Sequence, residues 1–265
     1  MRKNDYLKLL LGVAERARVK LLKEGSGSNE LLGLNVKGDI TRGFDKSSED
    51  FIMSEIRKIY GNITFLAEEA GVVKEGEDVY IIIDPCDGSS NFSRGIGLSA
   101  ISIAVAPSPY FEEVEIAIVK DIISGKTYYA IKGKGAFLDG LRVTPSQTKE
   151  LQEAIVGVDL DFPDKSDLDK VIPLLRRVKK IRKIGSNSLE LSYVSSGGYE
   201  AFLDLRNILS PENFASAKLI IEEAGGIISD DKGNPIEGKI DLTGKQNLVA
   251  AGNSILHEKI LKLIV

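Results

Sequence analysis

The sequence predicts a mixed α/β protein of two lobes, residues 1–145 and 146–265. Three observations carry this: a helical apolar pattern opens the chain, short apolar runs ending on carboxylates follow it, and the second half alternates strand and helix patterns.

In order, Leu7, Leu10, Leu11, Ala14, Ala17, Val19 and Leu22 recur three and four residues apart, so residues 5–24 are expected to form an amphipathic helix ending at Gly25-Ser26-Gly27-Ser28. A second helix is expected to open at Ser47-Ser48, with Glu49 and Asp50 in its first turn, and to end before Gly61. Residues 63–67 and 79–84 read as buried strands whose tips are acidic. Residues 98–106, 114–120, 126–131 and 136–138 alternate or run apolar between Gly, Pro and Ser, the pattern of an antiparallel sheet. Beyond Thr144-Pro145-Ser146 the expected elements are strand 154–158, helices 168–179 and 188–196, strand 201–205, helix 211–224, strands 226–229 and 248–251, and a closing helix 254–264.

Composition narrows the function. Apolar residues make up 43% and charged residues 28%, ordinary globular values, and the net charge is -4. An acidic chain has no general pull on nucleic acid, and the basic run Lys179-Lys180-Ile181-Arg182-Lys183 reads as a solvated helix end. One cysteine and one histidine exclude a disulfide framework and a Cys/His zinc cluster, which fits a reducing cytoplasm. The first helix is broken by Glu15, Arg16 and Arg18, unlike a signal peptide, and no apolar stretch approaches a membrane span. His257, far from every motif, reads as a surface or satisfied residue.

The chemistry concentrates in Asp84-Pro85-Cys86-Asp87-Gly88-Ser89-Ser90-Asn91-Phe92. Asp84 ends an apolar strand and Asp87 lies in the turn after it, so both can face one small volume. Pro85 stiffens that turn and Gly88 permits a left-handed backbone. A helix capped by Ser89, Ser90 or Asn91 would aim its first amides at an anion, while Glu68 and Glu69, after strand 63–67, add the hard oxygens Mg²⁺ prefers. The plain alternative is a set of ordinary turn and capping residues. Two residues separate Asp84 from Asp87, whereas haloacid-dehalogenase-type phosphatases place one between their aspartates, which favours attack by a metal-activated water over an aspartyl nucleophile.

Four segments together resemble the inositol monophosphatase and fructose-1,6-bisphosphatase superfamily over nearly the whole chain. They are Leu66-Ala67-Glu68-Glu69, the Asp84–Phe92 segment with Ser89 in place of a threonine, the segment Gly185–Gly197 opening Gly185-Ser186-Asn187-Ser188, and Glu222-Glu223-Ala224-Gly225-Gly226. Asp204-Leu205-Arg206 is similar to the archaeal-type members active on both inositol phosphate and fructose 1,6-bisphosphate. The resemblance implies a layered αβαβα sandwich, a homodimer, and a phosphatase of small sugar or polyol phosphates using two or three Mg²⁺. It implies metal ligands at Glu68, Asp84, Asp87 and the Cys86 carbonyl, and water orientation by Glu68 and Ser89. It further implies phosphate or substrate contacts at Gly88, Ser89, Ser186, Asn187 and Arg206, and a mobile loop carrying Asp39, Thr41 and Asp45.

One position departs. Counting back from Glu223, Asn213 stands where the family carries its last metal-ligand aspartate, and Glu212 beside it is the alternative ligand. Ser210-Pro211-Glu212 also reads as a plain helix start, with Ser210 as N-cap and Pro211 at the first helical position. The departure keeps a second function open, a catalytically weak phosphosugar-binding regulator or scaffold of the same fold.

Overall fold

The computed structural model describes residues 3–25, 30–35 and 40–264. Helix α1 (Lys3–Glu24) leads into a small hairpin of β1 (Leu31–Leu34) and β2 (Ile40–Arg42), and then into α2 (Gly43–Arg57). The chain continues through β3 (Ile63–Ala67), β4 (Gly71–Lys74), β5 (Val79–Asp87), the single turn α3 (Ser89–Phe92), β6 (Ala100–Ala106), β7 (Ile116–Asp121), β8 (Thr127–Ile131), β9 (Gly135–Leu138) and β10 (Leu141–Arg142). After these come β11 (Ile155–Val158), α4 (Ile172–Leu175), β12 (Lys180–Arg182), α5 (Asn187–Ser195), β13 (Ala201–Leu209), α6 (Ala215–Ala224), β14 (Ile227–Ser229), β15 (Gln246–Ala251) and α7 (Ser254–Leu261).

An eight-stranded sheet runs β10-β9-β8-β7-β6-β5-β3-β4 and is antiparallel except where β3 lies parallel to β5. A five-stranded sheet runs β12-β11-β13-β15-β14. Strand alternation divides the core into layers. Ile81 and Ile83 of β5, with Ile101 and Ile103 of β6, pack under α1 and α2, while Ile82 points to the other face. That other face is paved with small residues, Ala100, Ala104, Ala117, Ala130 and Ala136, so α6 lies close against it. Residues of α5, α6 and the five-stranded sheet complete this middle core, and α4 and α7 pack with Val156, Leu203 and Val249 on the smaller sheet's outer face. The order is the expected αβαβα sandwich.

Several boundaries differ from the sequence reading. Helix α2 begins at Gly43 rather than Ser47, because Phe44, Asp45, Ser48 and Glu49 form its buried face. The helix expected over 168–179 is a 3₁₀ segment, Lys165–Lys170, followed by the single turn α4, and Pro173 sits where only a first turn tolerates it. Lys180–Arg182 is an exposed edge strand paired parallel to β11, not a helix end. The helix expected from residue 211 is split into a 3₁₀ turn, Pro211–Asn213, and α6. His257 is buried and satisfied, 2.8 Å from the Ser229 hydroxyl. Among the described residues no helix is long and apolar enough to cross a membrane.

Candidate active site

Parallel neighbours end side by side, and this brings Glu68 and Asp84 together. Ala67 pairs with Ile83, and the Glu68 amide donates to the Ile83 carbonyl at 3.1 Å, so each strand releases its carboxylate at the same edge. Asp84 is fully buried. One of its oxygens accepts from the Cys86 amide at 3.0 Å and the other from the Asn213 side-chain amide at 2.9 Å. Between Asp84 and Asp87 the pairing with β6 shifts register, the bulge that lets the chain turn away at Pro85-Cys86. Cys86 is buried, as expected of a small hydrophobe.

Helix α2 supports the same edge. The Glu49 carboxylate accepts from the Glu69 and Ala70 amides, both at 2.8 Å, and pins the turn that follows Glu68. Thr41 donates its hydroxyl to Glu69. Asp45, one turn before Glu49, is buried, and neither carboxylate oxygen has a hydrogen-bond partner among the described residues. Asp39, the other expected loop residue, lies outside the described residues.

Asp87 points elsewhere. Its carboxylate accepts from the Ser186 hydroxyl (2.8 Å), the Asn187 amide (3.2 Å), and the Ser188 amide and hydroxyl (2.7 and 2.6 Å), which closes the N-terminus of α5. Gly88 is left-handed at φ 85°, and a Cβ there would stand 2.9 Å from the Leu98 carbonyl, so no other residue fits. Gly88, not a serine, caps the single turn α3; Asn91 donates to the Leu98 and Ile184 carbonyls instead.

The electrostatics follow from the crowding of carboxylates. Burial, reinforced by repulsion from Glu68 and Glu69, pushes Asp45 up to about 9, against some relief from Arg42. Burial also raises Glu49 to about 7, although two amides favour its charged form. Asp84 is raised well above the usual carboxylate range by burial and then by Glu68 and Asp87, while the Asn213 amide opposes the shift. Asp87 is raised by burial despite its four donors, and burial raises the Cys86 thiol as well.

Beside Glu68 opens a cavity of about 410 Å³ whose walls include Asn187, Arg206, Ser210, Asn213 and Lys245. Some expected contacts are engaged otherwise. Ser186 is fully buried and serves Asp87. The Arg206 guanidinium, expected to hold substrate, is gripped by Asp204 at 2.9 and 2.6 Å and by Asp159 at 3.2 Å. Asn213 lines the cavity, whereas Glu212 is buried outside its walls. Glu49 and Lys245 escaped the sequence reading. Glu49 carried a signal, four residues after Asp45 on one helical face; Lys245 lies in a loop with no pattern.

The chain matches the inositol monophosphatase family over residues 7–265. It belongs to that family. It is 35% identical to a fructose-1,6-bisphosphatase/inositol-1-monophosphatase of Methanothermobacter thermautotrophicus, covering 89% of this chain and 88% of that one. It is 31% identical to the Nus factor SuhB of Escherichia coli over 93% of this chain and 90% of that protein. A solved inositol monophosphatase–fructose 1,6-bisphosphatase superposes with a TM-score of 0.87 at 27% identity, covering 99% of this chain and all of the other. The reading of the sequence as a phosphatase of this superfamily is thereby borne out.

As an inositol monophosphatase family member, the chain has a donor set whose chemistry suits a divalent cation. Glu68, Asp84 and the orphaned oxygens of Asp45 are hard and mutually repelling, with Asp84 and Asp45 buried and Glu68 half-buried, the environment a cation relieves. Among the described residues, though, no three Asp, Glu, His or Cys side chains converge into a ready-made cluster. Two features account for this. Asp87 has turned onto α5, and Asn213 offers Asp84 a donor where a shared cation would need an acceptor.

Proposed function

We propose that the chain hydrolyses phosphate monoesters of small sugars or polyols, such as inositol 1-phosphate or fructose 1,6-bisphosphate, with Mg²⁺ held by Glu68, Asp84, Asp45 and the Cys86 carbonyl. The carrying observation is the pair Glu68 and Asp84 set side by side on strand ends that a bulge and Glu49 hold in place, with Glu68 on the wall of the cavity and Asp84 buried behind it. A bound Mg²⁺ supplies Lewis-acid polarisation of the phosphoryl group and charge neutralisation among the carboxylates.

The chain's own residues supply the rest. Glu68 orients the attacking water and takes its proton as the new O–P bond forms, and the Ser89 hydroxyl fixes the water's direction. The Gly88 and Ser89 amides hold the phosphate, since the first N–H groups of a helical turn have no partner inside it. The ester P–O bond breaks, the leaving oxygen takes a proton from solvent water, Glu68 returns the proton it accepted to solvent, and an alcohol and inorganic phosphate depart. Asp87 positions: it ties the Asp84–Gly88 turn, and with it the start of the Ser89 turn, to the N-terminus of α5. The test is phosphate release from inositol 1-phosphate, fructose 1,6-bisphosphate and a nucleotide bisphosphate with and without Mg²⁺. Metal-dependent release from at least one is expected, and none from any would sink the reading.

A second reading, a weakly catalytic phosphosugar-binding regulator, draws on one observation, the Asn213 amide on Asp84. Calorimetric binding of these esters without turnover would favour it.

A further inference from the structure

Glu190 is a fully buried carboxylate that takes no part in the reaction as described. It lies in the first turn of α5, where its amide donates to the Ser186 carbonyl at 3.0 Å. One of its carboxylate oxygens accepts from two successive amides, Ile184 at 3.3 Å and Gly185 at 3.2 Å. Neighbouring N–H groups converge on one anion only where the backbone curls, and Gly185 allows this with a left-handed φ of 79°. The other oxygen is buried with no hydrogen-bond partner among the described residues. Gly157 of β11 leaves the room for it: a Cβ there would stand 3.0 Å from that oxygen and 2.8 Å from both Tyr199 and Phe202. Burying a carboxylate with half of its acceptors unused is unfavourable, and an apolar side chain would fill this space without that penalty. What Glu190 adds is its hold on the two amides.

Those amides border the reaction centre. The Ile184 carbonyl and the Gly185 N–H are the two ends of one peptide plane. Glu190 takes the N–H, and the Asn91 side chain donates to the carbonyl at 2.8 Å. Asn91 belongs to α3, the single turn that starts after Gly88, and it also donates to the Leu98 carbonyl at 2.9 Å. Past the plane, the Gly185 carbonyl oxygen lies 3.1 Å from the point where a Cβ on Gly88 would stand, and Ser186, Asn187 and Ser188 close on Asp87. The plane is therefore held at both ends. Turning it over would take the carbonyl from Asn91 and set it against the Glu190 carboxylate, acceptor against acceptor.

We propose that Glu190 is a positioning residue of the phosphatase site: together with Asn91 it fixes the Ile184–Gly185 peptide plane, and that plane keeps the Gly88–Ser89 turn where its amides meet a phosphate group. Its kinetic consequence rests on the phosphatase reading, and its structural consequence does not.

The experiment compares the wild-type protein with Glu190→Met, which has no acceptor for the two amides, and Glu190→Gln, whose side-chain oxygen still accepts from them. In Glu190→Met the KM for inositol 1-phosphate and the inhibition constant of inorganic phosphate are expected to rise together by about tenfold, while Glu190→Gln stays within about twofold of wild type. Loss of folded protein lowers kcat and leaves KM alone, so an unchanged KM in Glu190→Met overturns the proposal, as does an equal rise in Glu190→Gln. A second measurement does not depend on turnover: hydrogen exchange of the Asn91 and Phe92 amides, both of which donate to the Gly88 carbonyl, in the metal-free protein. Glu190→Met should speed this exchange about tenfold and Glu190→Gln less than twofold; equal exchange in Glu190→Met and wild type overturns the proposal. Should the wild type release no phosphate, the phosphatase reading fails and the exchange arm still decides on Glu190. Should Glu190→Met fail to fold, Asn91→Ala releases the other end of the same plane and takes its place, with the same rises expected in KM and in Phe92 exchange and the same refutation if they are absent.

Discussion

Replacing Asn213 by aspartate probes the site where this chain departs from its family. The wild-type amide lies 2.9 Å from an Asp84 oxygen and donates to it, while its carbonyl oxygen accepts from the Ser210 amide, so both ends of the side chain are committed. Asn213→Asp keeps the acceptor for Ser210 and sets a second carboxylate against Asp84. Two unit charges about 3 Å apart repel by roughly 5 kcal/mol at the effective dielectric of a protein site, a ceiling that protonation of either group lowers. With the lost hydrogen bond included, the metal-free variant should be destabilised by about 3 to 5 kcal/mol at pH 8, a fall in Tm of about 10 °C for a chain of this size. At pH 5 one carboxyl takes a proton and most of the penalty disappears. Saturating Mg²⁺ should reverse the loss, and the ion count by calorimetry or by Mn²⁺ resonance should rise by one over wild type. If metal-free Asn213→Asp melts with wild type at pH 8 and binds the same number of ions, the argument that an amide occupies the place of a cation is refuted.

Asp45→Asn tests the orphaned carboxylate. Because its folded pKa of about 9 lies above its unfolded value, the folded state holds a proton the unfolded state has lost, and metal-free stability falls as pH rises between those values by up to about 1.4 kcal/mol per unit. The variant should flatten that slope and melt higher than wild type in EDTA at pH 8; an unchanged slope from pH 5 to 9 would refute the burial argument. Glu190→Gln should act alike, since burial raises Glu190 to about 8 while it holds the Ile184 and Gly185 amides, with the gain confined to pH above the ordinary glutamate range. Ser89→Ala should lower kcat by about tenfold or more with KM little changed, as a transition-state role requires. An unchanged kcat would reduce Ser89 to a backbone support.

The sequence made some of this legible for clear physical reasons. Glu68 and Asp84 could be read because buried parallel strands are continuous apolar runs, and whatever polar residue ends such a run must lie at the sheet's edge. The Asn213 departure was visible by counting; the direction of its amide was not, because that depends on Asp84, which lies 129 residues away in the chain and meets Asn213 only through the fold. Asp87 illustrates the same limit, since nothing local says that α5, a hundred residues later, will offer it four donors. The short edge strand β12 was missed because it is exposed throughout and shows no alternation for its pairing to reveal.

The alanines beneath α6 act as a gauge for the site. Ala100, Ala104, Ala117, Ala130 and Ala136 lie under the helix, and Asn213 stands two residues ahead of its first turn, so the thickness of this methyl layer fixes how far Asn213 can be from Asp84. Widening any of them to valine forces the helix outward, since a close-packed interior has no slack to absorb two more carbons. The two sides of the reaction centre would then separate although every residue that touches substrate is unaltered. Calibration of the cleft is thus set in the floor of the molecule, and the positions most sensitive to substitution include some that no ligand reaches.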